Sequence, residues 1–127
     1  MSKSLAFTLP LGIYPYDIRF SFNEKSNDIE RHFKKIGCKK SPSIKYDDKS
    51  CVAFYIRVNS RNVLIRMRRI PDSADEFSWL QHEITHAVMF ILDKYTGMPH
   101  TPESTEAYAY LTDYITKEVY RNLPKFK

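Results

Sequence analysis

Apolar and polar residues alternate from Tyr14 to Phe22, with Tyr14, Tyr16, Ile18, Phe20 and Phe22 on one face and Pro15, Asp17, Arg19 and Ser21 on the other. Period two over this stretch predicts a half-buried strand, and Pro15 places it at an edge or delays its start. The period then lengthens. Over 23–37, Ile29, Phe33 and Ile36 recur at helical spacing, Asn23 is suited to cap the first turn and Gly37 to end the last. The polar, irregular stretch 38–50 reads as a connecting loop. Alternation returns in Val52, Phe54, Ile56 and Val58 and again in Val63, Ile65 and Met67, on either side of the short polar link 59–62, which predicts a hairpin.

Two helices follow. Ser73 with Glu76 three residues later is a capping-box pattern, and Asp75 adds charge of the sign a helix N-terminus favours. Phe77, Leu80, Ile84, Ala87, Val88, Ile91, Leu92 and Tyr95 then form one stripe at three-and-four spacing, closed by Gly97 and Pro99. Thr101 and Pro102 fit the cap and first position of a last helix that runs to Pro124. The predicted order is β-α-β-β-α-α with no internal linker. That is one α+β domain over 1–127, with 1–11 and 124–127 as tails.

Composition narrows the class. At 127 residues with 43% hydrophobic content, the chain has material for a packed core and lacks the profile of a disordered protein. No run approaches the roughly 18 apolar residues of a membrane span, and the opening MSKSLAFTLPLGIY is a poor signal peptide. A soluble, cytoplasmic protein is expected, with Cys38 and Cys51 as thiols rather than a disulfide. Charge is uneven: residues 1–72 carry 15 Lys/Arg against 7 Asp/Glu, and residues 73–127 carry 5 against 8. A basic half including Arg31, Lys34, Lys35, Lys39 and Lys40 could face nucleic acid, but no recognition-module signature accompanies it. Weak, non-specific binding is the expectation.

The chemistry concentrates in LQHEITHAV, which holds His82, Glu83 and His86. Residues four apart on a helix lie on one face about 5–6 Å apart at Cβ, so both imidazoles can reach one ion. Zinc accepts such nitrogens and favours four ligands. Glu83 stands about 100° round the helix from His82, offset enough to act on a water as general base. A third ligand must come from elsewhere, and His100, Glu103 and Glu106 are within range in the chain. The position six after His86 is Leu92, which excludes the metzincin arrangement of a third histidine there.

HEITHAV followed by TEAYAY resembles the gluzincin pattern of thermolysin-like metallopeptidases, in which the third ligand is the Glu of an E-A dipeptide one helix later. The stretch ESTEAYAYLTDYI also resembles short zincin-like proteins encoded in bacteriophage genomes. The resemblance covers about 73–123. It implies a minimal zincin-like fold, with a small sheet packed on the helix that carries the motif and on the C-terminal helix. It implies one Zn²⁺ per chain held by His82, His86 and Glu106, twenty positions after His86, with Glu83 as catalytic base of peptide hydrolysis. The partner is then a peptide or protein substrate, and the setting the host cytoplasm or the virion. Where the larger enzymes carry an Asp four residues after this Glu, the chain has Tyr110, so the phenol, Asp113 or a backbone carbonyl must orient the ligands. Tyr95, Tyr108 and His100 are the candidate oxyanion donors. The alternative is a non-enzymatic phage assembly or virion protein that keeps zinc for stability.

Overall fold

The computed structural model describes residues 3–38, 53–58 and 61–127. Most of the predicted loop, Lys39 and Lys40, Cys51, Val52 and part of the hairpin link lie outside them. The protein is α+β, and by its internal contacts it divides into two compact units, 1–70 and 71–127.

The first unit contains β1 (Leu5–Pro10), β2 (Asp17–Phe22), α1 (Ser26–Lys35), β3 (Ala53–Arg57) and β4 (Asn62–Met67). They form a four-stranded sheet in the order β1-β2-β4-β3. β1 and β3 pair antiparallel with their neighbours, while β2 and β4 run parallel, with Ile18 opposite Val63 and Phe20 opposite Ile65. The predicted hairpin is β3–β4. The expected N-terminal tail is in fact a strand, so the order is β-β-α-β-β-α-α. β2 begins at Asp17 and not at Tyr14, because Gly12, at φ 67°, turns the chain and Leu11 N–H closes the turn on the Tyr16 carbonyl at 3.1 Å.

One face of this sheet carries Ile18, Phe20, Phe22, Val63, Ile65 and Met67, all buried, and Phe7 of β1 stacks on Phe20 with centroids 5.4 Å apart. The other face receives α1, whose Ile29 and Phe33 pack with Leu64 and Cys38. Beside them Arg66 is buried, and its guanidinium donates to the Glu24 carbonyl at 2.9 Å and to Ser26 Oγ at 3.2 Å, which ties β4 to the start of α1. Asn23 does not cap that helix. It adopts left-handed φ 57°, which Asn tolerates, and its amide donates to the Lys3 carbonyl, so Lys25 takes the cap position without a side-chain bond.

The second unit is a pair of helices. α2 (Ala74–Met89) opens on the predicted capping box: Ser73 Oγ accepts from Glu76 N–H at 3.2 Å, and Glu76 Oε1 accepts from Asp72 N–H at 3.0 Å. Leu80, Ile84, Ala87 and Val88 are buried as the stripe requires. The helix widens into a π-helical segment over Phe90–Tyr95, with Thr96 N–H reaching the Ile91 carbonyl five residues back, before Gly97 at φ 71° turns the chain. α3 (Thr105–Asn122) starts later than expected. Thr101 and Pro102 belong to a turn closed by Ser104 N–H on the Thr101 carbonyl at 3.1 Å, and Ser104 becomes the cap. The second expected tail is a 3₁₀ turn over Pro124–Phe126, with Phe126 stacked on Tyr120 at 5.3 Å.

Two outcomes follow. Ser73→Ala should lower unfolding free energy by about 1–2 kcal/mol, measured by urea denaturation, since it removes an N-cap and a partner of the buried Glu76. His32 sits with its pKa below the ordinary 6.5, first because of partial burial and then because of Arg19. Its folded pKa is depressed, so its neutral form supports the fold above pH 6.5 and that support is lost as pH falls from there through the lower folded value. Unfolding curves of His32→Gln should therefore show a shallower loss of stability on acidification below pH 6.5 than the wild type.

Candidate metal centre

On α2 the apolar stripe determines where every other side chain points, because each residue advances about 100°. With Leu80, Ile84, Ala87 and Val88 buried, His82 and His86 emerge on the exposed face. Glu83 falls at the boundary and is 8% exposed. The two imidazoles turn toward each other, with Nε2 to Nε2 at 3.0 Å and ring planes at 81°. One ligand atom from each of His82, Glu83 and His86 lies within 4.8 Å of the others. Among the described residues this is the one group of three such side chains able to hold a metal ion.

The donor set fits the zinc ion that the resemblance implies. Two nitrogens each about 2.0–2.1 Å from a tetrahedral zinc stand about 3.3–3.4 Å apart, so the observed pair needs to open by only a few tenths of an ångström. Both nitrogens are Nε2, the atoms farthest from the backbone, which leaves Nδ1 of each ring for an orienting partner.

The remaining candidates are placed differently. Glu106 is exposed in the first turn of α3 and lies outside the 4.8 Å group. Glu103 is exposed in the turn before that helix, and His100 is exposed with its ring 4.5 Å from that of Tyr108. Tyr108 is committed elsewhere: its hydroxyl donates to the Met98 carbonyl at 2.5 Å, and burial with the nearby Asp93 carboxylate pushes its pKa above 10. That bond ties α3 to the turn between the helices. Tyr110 is 70% exposed on α3. Arg31, Lys34 and Lys35 of the basic stretch are exposed on α1, and Arg31 pairs with Asp28 at 3.2 Å.

One feature escaped the sequence reading. Between α2 and α3 lies a cavity of about 520 Å³ lined by Thr85, Val88 and Met89 from one helix and by Ala109, Thr112 and Asp113, among others, from the next. The signal was present as small residues at three-and-four spacing, Thr105, Ala109, Thr112 and Thr116, which leave room where larger side chains would fill the groove. Comparison with protein-family models, with curated proteins and with solved structures finds no match to this chain.

The geometry predicts one divalent ion per chain, lost on His82→Ala or His86→Ala. Equilibrium dialysis followed by elemental analysis checks it, and equal metal content in wild type and both variants would remove these residues from the site.

Proposed function

We propose that the chain is a zinc-dependent hydrolase of peptide bonds, built on a zincin-like helix pair. The observation that carries this reading is Glu83: a largely buried carboxylate held within 4.8 Å of two exposed imidazole nitrogens. A structural zinc site needs four closed ligands, whereas a catalytic site pairs fewer protein ligands with an accessible position and a base. The exposure of His82 and His86 supports the second.

Zinc, when bound, supplies Lewis acidity that makes water nucleophilic near neutral pH and polarises a carbonyl. His82 and His86 would hold it through the Nε2 atoms they turn toward each other. Glu83 accepts the proton of the attacking water on its carboxylate and delivers it to the departing amine, and its position on the rigid helix keeps it aligned for both steps. Partial burial keeps competing water from Glu83 while the imidazoles stay reachable from solvent. The third ligand would be Glu106 of α3, the residue that the resemblance assigns.

No helix among the described residues is long and apolar enough to cross a membrane. The proposed setting is the cytoplasm, with a phage-infected host as the source the resemblance suggests and a protein or peptide as substrate. Glu83→Gln is the test. It should bind zinc as the wild type does and lose about 10²–10⁴-fold in hydrolysis of a peptide the wild type cleaves. Unchanged hydrolysis would reject Glu83 as base. Zinc binding without cleavage of any peptide in a diverse library would favour the non-enzymatic assembly protein.

A further inference from the structure

Resting on the hydrolase reading, we infer that the cavity between α2 and α3 receives a lysine or arginine side chain of the substrate, its aliphatic stem along the walls and its cation on Asp113. The cavity opens beside the histidines as a consequence of helix geometry. Glu83 stands about 60° to one side of His86, while Met89 stands about 60° and Thr85 about 100° to the other. Met89 and Thr85 both line the cavity. The imidazoles therefore separate the carboxylate that would act on water from a recess able to take a side chain of the same peptide.

The walls are apolar although many of their residues are not. Thr85, Thr105 and Thr112 donate their hydroxyls to the carbonyls of Gln81, Thr101 and Tyr108, four residues back, at 2.9, 2.9 and 2.8 Å. Thr116 Oγ1 accepts from Gln81 Nε2 at 2.8 Å, and the Tyr108 hydroxyl is held by the Met98 carbonyl. With those bonds made inside the protein, the lining offers a guest mainly methyl and methylene surface, to which Val88, Met89 and Ala109 add. The volume, about 520 Å³, falls within the roughly 300–1,000 Å³ of ligand sites and admits a long side chain with adjoining backbone.

One carboxylate interrupts this lining. Asp113 is exposed at the cavity, and among the described residues no lysine or arginine pairs with it, Lys117 one turn on included. The sequence around it adds charge of the same sign, since residues 73–127 carry 8 Asp/Glu against 5 Lys/Arg. An acidic guest would be repelled, and a wholly apolar one would cover the carboxylate without pairing it. A lysine meets both demands: its methylenes cover apolar surface while its ammonium reaches toward water and a charge-assisted bond. Arginine does the same with a guanidinium that a carboxylate binds through two bonds.

The test uses full-length, zinc-loaded Glu83→Gln protein, which keeps the histidines and does not turn over its ligand. The probes are blocked tripeptides, acetyl-Ala-Xaa-Ala-amide, in which Xaa is lysine, norleucine or glutamate; norleucine keeps an aliphatic stem without the cation. Affinity is read by isothermal titration calorimetry, with circular dichroism as the control for folding. The lysine peptide should bind at least about threefold tighter than the norleucine peptide, as one partly exposed charge pair predicts, and the glutamate peptide should bind weakest. Adding Asp113→Asn should bring the lysine peptide down to the norleucine value and leave norleucine unchanged. Adding Ala109→Phe, which fills the cavity, should weaken both by about tenfold or more. Norleucine bound as tightly as lysine, a lysine preference that survives Asp113→Asn, or no binding of the lysine peptide at millimolar concentration overturns the assignment while leaving the metal centre standing. A lysine preference lost with Asp113→Asn, combined with no cleavage of any peptide by the zinc-loaded wild type, upholds the cavity's ligand and overturns the hydrolase reading alone.

Discussion

Burial of one stripe on α2 constrains everything that the proposed site does. Once Leu80, Ile84, Ala87, Val88 and Ile91 turn inward, the helix has no freedom left to aim its other residues. His82 and His86 must emerge together and Glu83 must lie at the edge. The chemistry therefore inherits its precision from packing, and at roughly 1.5–3 kcal/mol per buried aliphatic side chain the stripe far outweighs any preference the imidazoles have for another arrangement. The capping box, with Glu76 itself buried, fixes where the helix starts and so fixes the rotation of the whole stripe.

The same helix shows why some features were legible in the sequence and others were not. The histidine spacing, the cap and the apolar stripe are local, and each depends on residues at most a few positions apart. The strands β2, β3 and β4 were visible because Phe20, Phe22, Val63 and Ile65 alternate strongly. β1 reads as a tail although Leu5, Phe7 and Leu9 also alternate; three apolar positions before a proline are too few to separate a strand from an ordered end. The cap of α3 is ambiguous in the sequence because Thr101-Pro102 is as good a turn as it is a helix start, and hydrogen bonding by Ser104 decides between them.

The geometry of α3 against α2 lay beyond local reading altogether. Register between two helices depends on where the first one stops, and the π-helical segment postpones that stop. Nothing in Phe90–Tyr95 announces a wider turn by composition, since its residues serve an α-helix equally well. A spacing counted along the chain therefore carries no information about which residues of α3 stand level with which residues of α2.

The two units also differ in how far the chain must reach to make them. The sheet closes only when β2 finds β4, with Asp17 opposite Asn62, forty-five residues apart in the chain. Such pairing bears a loop-closure entropy before any contact rewards it, and topologies of this kind fold slowly. The imidazole pair needs a span of four residues, and α2 and α3 are neighbours in sequence. Assembly of this protein is therefore asymmetric in time: the part that would take up the ion forms from nearby contacts, and the parallel strands set the pace for the remainder.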